Sequence, residues 1–304
     1  MFNNWSLCCI SKTLSDSGVN FKSMTYTNFS KMPRTEALRE LCTRILHNVK
    51  TAHRTIQFCQ QRGISAYRVS SNLFPILTHT DVRMKISDLP NYSDIVAECD
   101  KIKQTLLQKH IRISSHPSEY ITLSSEDSNT VDNSIRDLEQ HAELFDLLGL
   151  PEDYNSPLNI HIRKEGDISG IVKKVMGNYE KLCSGIRKRL VFENNDNKNG
   201  NWSIRNLIRH ISEPYDIPIT FDYLHHSILP DSLSEKDAFL LAYNSWKEYT
   251  PLFHYSEGIV ENGILTRKHR DSPESFPIVY NPNVYLDVEL KDKCQAIFKL
   301  QNNL

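Results

Sequence analysis

Eight short apolar runs, each set off from the next by a longer stretch, constrain this chain more than any other feature. The runs at 5–10, 67–69, 111–113, 158–160, 190–192, 217–221, 252–253 and 284–288 read as strands. Stretches at 34–62, 93–109, 128–148, 169–186, 202–212 and 234–248, with a last helix after the eighth run, read as helices. In the first of these, Leu38, Leu41, Ile45, Val49 and Ile56 recur at helical spacing, which gives one apolar face. Only a weak helical signal separates the seventh and eighth runs. Strands alternating with helices predict a parallel sheet with crossover helices. Eight such units in 304 residues fit an α/β fold of the closed (β/α)8 TIM-barrel type, with residues 1–304 forming one domain. An open doubly wound sheet is the competing architecture. No G-x-G-x-x-G or G-x-x-x-x-G-K-[ST] follows the first run, and the chain holds only 10 Gly, so a glycine-built nucleotide cradle is not supported.

Charge excludes other classes. The 36 Lys+Arg against 37 Asp+Glu argue against a basic-tail nucleic-acid binder and against an acidic solvating chain. The 7 Cys include no C-x-x-C pair and read as reduced thiols of a cytoplasmic protein, not as a zinc finger or a disulfide framework. The start, MFNNWSLCCIS, has no basic region ahead of a long apolar run, so no secretory leader is expected. No run approaches the length of a membrane span.

The 12 His carry more information through position than through number. His116 follows the third run, His161 the fourth, Glu193 the fifth, Asp222, His225 and His226 the sixth, His254 the seventh, and Glu289 the eighth. In a (β/α)8 barrel the carboxyl ends of the strands converge on one mouth, where active sites form. Imidazoles and carboxylates without thiolate make a nitrogen and oxygen ligand field suited to Zn, Mn, Fe or Ni. Glu193 has two oxygens and can bridge two ions, and Pro117 biases His116 toward extended backbone. A multinuclear metal site is therefore expected. His226 should face away if its neighbour His225 faces in. His47, His53, His110, His141 and His210 read as surface or packing residues.

At these residues the chain resembles the UV damage endonuclease family, which lies in the xylose isomerase-like barrel superfamily with endonuclease IV. The matching stretches are YRVSSNLFP at 67–75 with Thr78-His79, SHPSEY at 115–120, NIH at 159–161 and FENND at 192–196. They continue with FDYLHH at 221–226, FHYS at 253–256, Lys268-His269 and VELK at 288–291, so that order and spacing cover roughly residues 5 to 295. The resemblance implies three divalent metal ions, foremost Mn²⁺, with Zn²⁺, Co²⁺ or Mg²⁺ as alternatives. One would rest on His116, His161 and bridging Glu193, a second on Glu193, Asp222, His254 and Glu289, and a third on His225 and His269. His79 takes a catalytic role near the scissile phosphate. The substrate implied is damaged double-stranded DNA, cut 5′ to the lesion to leave a 3′-hydroxyl and a 5′-phosphate. The protein would act as a monomer, in the cytoplasm or wherever the DNA of its cell lies.

Three departures from the family pattern affect lesion reading. The family's Gly-Tyr pair and the Asn beyond it, which probe the duplex, become Ser6, Leu7 and Ser11; Leu7 is expected to serve instead as an apolar wedge. The Gln of a Gln-Tyr pair becomes Glu119, with Tyr120 retained as a stacking residue. A Lys two residues ahead of the seventh-strand His becomes Leu252. Arg163, Lys164, Arg267, Lys268 and Arg270 lie on expected mouth loops and would contact phosphates. Competing functions are an endonuclease IV-like abasic-site nuclease, a metal-dependent sugar isomerase or epimerase on the same barrel, and a non-catalytic DNA binder.

Overall fold

The computed structural model describes residues 2–118 and 120–302. Its strands are β1 (Trp5–Cys8), β2 (Ala66–Val69), β3 (Arg112–Ser115), β4 (Leu158–His161), β5 (Leu190–Glu193), β6 (Ile219–Thr220), β7 (Leu252–Tyr255), an antiparallel pair β8 (Gly258–Glu261) and β9 (Ile264–His269), and β10 (Tyr285–Val288). The other eight lie in the order β6-β5-β4-β3-β2-β1-β10-β7, parallel at every pairing. The ends of that order meet at one further parallel bridge, Asp222 with His254, where the His254 N–H donates to the Phe221 carbonyl at 2.9 Å. The barrel is nearly closed, and it is the (β/α)8 arrangement that the alternation predicts.

Helices cover the outside. In Arg34–Gln61 the residues Ala37, Leu41, Ile45, Val49, Ala52 and Ile56 are buried at spacings of three and four, while Leu38 is only half-buried. Each fully buried Leu or Ile of such a face contributes about 1.5–3 kcal/mol. Pro33 precedes this helix, and Gly63, at φ +67°, follows its C-cap. Tyr92–Gln108 and Ser128–Leu147 agree with their predicted ranges, and Asp127 caps the second by accepting from the Asn129 and Thr130 N–H groups.

Strand alternation sorts side chains between the helix layer and the barrel interior. Trp5 and Leu7 of β1, Tyr67 and Val69 of β2, and Leu286 and Val288 of β10 join the apolar core. Between them Ser6, Arg68 and Asp287 are buried polar residues, and register places Ser6 and His254 each beside Asp287. The barrel interior is therefore polar where β2, β1, β10 and β7 lie side by side.

Three local differences have identifiable causes. The helix expected over 169–186 is two pieces, Ile168–Tyr179 and Ser184–Arg187, because Cys183 adopts extended backbone at ψ 158°. The helix expected over 202–212 is the short turn Ile204–Leu207, continued by the wider turn Ile208–Ser212. Between β7 and β10 there is a β-hairpin where a weak helix was expected. Its turn residues Asn262 and Gly263 have φ +52° and +77°, the pair of positive values that a two-residue hairpin turn needs.

Candidate metal centre

Glu193, the last residue of β5, is the hub. Its Oε2 lies 3.4 Å from His116 Nε2, 3.6 Å from His161 Nε2 and 3.0 Å from His254 Nδ1, and its Oε1 lies 3.1 Å from His225 Nδ1. Asn159 Nδ2 donates to Oε2 from the layer below. His161 and Glu193 end their strands, His254 is the last but one residue of β7, His116 and Glu289 follow their strands directly, and Asp222 follows β6 after Phe221. Asp222 caps the short helix Tyr223–Ile228, its Oδ1 accepting the His225 N–H at 2.7 Å, and so fixes both side chains at one corner. His254 Nδ1 also lies 3.3 Å from Glu289 Oε1, and Arg68 NH1 donates to that same oxygen.

Backbone and amide acceptors orient the rings. His116 Nδ1 lies 3.1 Å from the Pro117 carbonyl, His225 Nδ1 2.9 Å from the Asn194 carbonyl, and His269 Nδ1 2.9 Å from the Glu289 carbonyl. A carbonyl only accepts, so in each ring Nδ1 carries a hydrogen, and it is Nε2 that keeps the lone pair whenever the ring is neutral. His161 behaves likewise: its Nδ1 meets Asn195 Oδ1 at 2.9 Å, and the Asn195 amide nitrogen is committed to the Ile162 carbonyl. Such outer partners set which nitrogen can bind a cation.

The charges are strongly coupled. Burial opposes ionisation of Glu193, yet the imidazoles of His254 and His161 hold its carboxyl well below the usual range. Burial also opposes charge on His254, and Glu193 and Glu289 outweigh it, raising His254 to about 9. His225 is raised as well, by Asp222 and Glu193 against burial. His161 is pushed down to about 3 because burial outweighs the pull of Glu193. Burial lifts Asp222 to about 6.

Three sets of ligand atoms lie within 4.8 Å of one another: His116 with His161 and Glu193, Glu193 with Asp222 and His225, and Asp222 with His254 and Glu289. Several of these atoms are buried without a hydrogen-bond partner, namely Asp222 Oδ2 and both ring nitrogens of His254. His254 Nδ1 is close to two carboxylates but not aligned for a hydrogen bond with either. Buried carboxylate oxygens beside imidazole nitrogens, with Asp222 Oδ2 and the His254 nitrogens left without a hydrogen-bond partner, are a donor set that divalent cations satisfy.

Of the first expected set, His116, His161 and Glu193 come together. In the second, Asp222, His254 and Glu289 form a group to which Glu193 adjoins through His254. The third differs: His225 groups with Glu193 and Asp222, not with His269. His269 closes β9 and lies at the rim, its Nδ1 3.9 Å from Glu289 Oε2. The hairpin that carries it was missed in the sequence, although Asn262-Gly263 between apolar runs is a strong turn signal. Gly258 is what lets this hairpin approach: a Cβ there would meet Leu224 Cδ1 at 2.7 Å and Thr266 O at 2.7 Å. His226 faces away as expected and packs on Phe221.

Two expected DNA contacts are corrected. Leu7 is wholly buried in β1 among core residues, and its register partners are Tyr67 and Val288, so it has no surface to insert between bases. Ser11 is also buried; it caps the helix Lys12–Asp16 by accepting from the Leu14 N–H and donates to Cys294 Sγ. Glu119 lies outside the described residues. Tyr120 is 84% exposed, free to stack on a base. His79 and Tyr120 line one cavity of about 270 Å³ with Ser118 and Asp137. Leu252 is buried in β7. The basic residues at the mouth are mostly paired: Arg267 with Asp196 at 3.4 Å, Lys268 with Glu261 at 2.8 Å, Lys164 with Glu126 at 2.8 Å, and Arg270 with Glu257 and Glu274. Sequence reasoning missed Arg68 and Asp287, which sit under the centre.

The family model described as UV-endonuclease UvdE matches residues 4–304. The UV DNA damage endonuclease of Nostoc sp. is 32% identical over 297 residues, covering 94% of this chain and 87% of that protein. The UV-damage endonuclease of Neurospora crassa is 31% identical over 290 residues, which are 89% of this chain and 42% of that longer protein. The crystal structure of SacUVDE matches with a TM-score of 0.79 at 26% identity, covering 99% of each chain. A D-tagatose 3-epimerase-like protein matches with a TM-score of 0.53 at 11% identity, over 79% of this chain and 86% of that one, a likeness of fold alone.

Proposed function

Because the chain belongs to the UV-endonuclease UvdE family, we propose that it is a metal-dependent DNA-repair endonuclease that hydrolyses the phosphodiester 5′ to a damaged nucleotide. The products are a 3′-hydroxyl and a 5′-phosphate. The observation that carries this reading is the set of three overlapping ligand groups around Glu193 and Asp222 at the barrel mouth. Residues 1–304 act as one barrel domain on damaged double-stranded DNA, as a monomer. No helix among the described residues is long and apolar enough to cross a membrane.

His116, His161 and Glu193 would hold one divalent cation, and Asp222, His254 and Glu289 a second. His225, grouped with Glu193 and Asp222, would serve a third, with His269 standing at the rim. Manganese is the expected metal. Cations bound there would supply Lewis acidity toward the phosphate and lower the pKa of water. Glu193 joins the groups, its Oε2 facing His116, His161 and His254 and its Oε1 facing His225. His79 works on the substrate itself. Its Nδ1 accepts the Asp81 N–H at 3.2 Å, so the neutral ring carries its proton on Nε2 and can donate to a phosphate oxygen. Tyr26 stacks on that ring at 4.2 Å and 10°, which holds its plane. Tyr120, beside it, offers a face to a base.

The test is incubation of purified protein and Mn²⁺ with a duplex carrying one ultraviolet photoproduct. The expected result is a single cut on the 5′ side of the lesion. Incision at an abasic site with none at the photoproduct would replace this reading with an endonuclease IV-like one.

A further inference from the structure

Asp287 belongs to no ligand group, yet the barrel spends a buried carboxylate on it. It is the third residue of β10, fully buried, and both of its oxygens lack a hydrogen-bond partner. A carboxylate buried in that state is costly unless something nearby uses it. Two groups face it. His254 Nε2 lies 3.6 Å from Oδ2, and Arg68 NH1 lies 3.6 Å from the same oxygen. His254 Nε2 is itself without a partner. Register pairs Asp287 directly with His254 across the β10–β7 ladder, so the two side chains share the inward face one step below Glu289.

We propose that Asp287 is a positioning residue that holds the proton of His254 on Nε2 and thereby reserves Nδ1 for a cation. The geometry leaves Nδ1 and Nε2 with opposite surroundings. Nδ1 faces Glu193 Oε2 at 3.0 Å and Glu289 Oε1 at 3.3 Å, the ligand side. Nε2 faces Asp287, and an approach of a few tenths of an ångström converts the 3.6 Å separation into an N–H···O⁻ bond. His116 and His161 are each held by an oxygen on Nδ1 and present Nε2 to Glu193. His254 is turned the other way, with Nδ1 toward Glu193 and Glu289 and Nε2 toward Asp287, a carboxylate outside the ligand groups. Arg68 ties the arrangement together, because it faces Asp287 while donating to Glu289 Oε1 and leaves Glu289 Oε2 available.

This inference rests on the reading that His254 holds a cation, and the test separates the two. Zn²⁺ alone is the probe, and affinity is measured by competition with a chromogenic chelator on the full chain. The unaltered protein, Asp287→Asn and Asp287→Leu are compared. Asp287→Leu should bind its zinc about 10- to 100-fold more weakly at one site. Asp287→Asn, whose amide oxygen still accepts an N–H, should recover most of that loss. A long-range ¹⁵N–¹H spectrum of the zinc-loaded unaltered protein should show the His254 proton on Nε2, and this needs no variant to fold. A merely structural role predicts a lower melting temperature for metal-free Asp287→Leu with unchanged zinc affinity, and that result overturns the proposal. So does a His254 proton found on Nδ1. If the unaltered protein takes up no zinc at all, the ligand reading of His254 falls and the role of Asp287 with it.

Discussion

Replacing Leu7 by Ala separates a core role from a DNA-wedge role. Leu7 is completely buried between β2 and β10 partners. Losing three buried carbons at about 0.8 kcal/mol each, with the residual cavity added, costs about 3–5 kcal/mol. A chain of 304 residues unfolds with an entropy of about 0.6 kcal/mol/K, so the melting temperature should fall by about 5–8 °C. Melting followed by circular dichroism measures this. Binding of a lesion-bearing duplex, measured well below the melting temperature, should be unchanged within about twofold, because fewer than a few tenths of a kcal/mol are at stake for a residue that touches no DNA. An unchanged melting temperature together with a large loss of lesion binding would refute the burial argument and restore the wedge.

Further outcomes follow from the same geometry. Tyr120→Ala, at a residue 84% exposed, should leave the melting temperature alone and weaken DNA binding by about 1–3 kcal/mol, read by fluorescence anisotropy; unchanged binding would remove Tyr120 from the interface. His254, raised to about 9, is protonated at pH 7 in the metal-free protein, whereas a ligand imidazole must be neutral; His225 is shifted in the same direction. Metal uptake at pH 7 should therefore release protons, that of His254 among them, fewer above pH 9, and apparent affinity should rise with pH across that window. Titration calorimetry in buffers of different ionisation enthalpy counts them, and no release would contradict the ligand assignment.

The sequence carried the barrel and most of the centre because both depend on local pattern. Apolar runs punctuated by His, Asp or Glu mark strand tips, and the barrel makes strand tips converge. What depends on closure was not legible. Asp287 sits inside an apolar run, LDV, and nothing local says that its side chain faces a buried imidazole across a ladder. Leu7 looked like a substitute for an aromatic probe because its strand register was unknown; the pleat turns it outward into the helix layer. Glu261-Asn262-Gly263-Ile264 did hold a hairpin signal, and reading it would have put His269 on a strand end. The basic loop residues looked like free phosphate contacts, but two of their acidic partners come from distant segments: Asp196 reaches Arg267 across 71 residues of sequence and Glu126 reaches Lys164 across 38.

The central claim is that the strand-end imidazoles and carboxylates hold divalent cations with Glu193 shared between them. Metal content of the purified protein, loaded with Mn²⁺ and dialysed against metal-free buffer, tests this most directly by elemental analysis. The unaltered chain should retain roughly two to three equivalents, and Glu193→Ala should lose at least one of them together with incision. An unaltered protein that retains no metal, or a Glu193→Ala variant that retains the full complement and cuts at the normal rate, would contradict it.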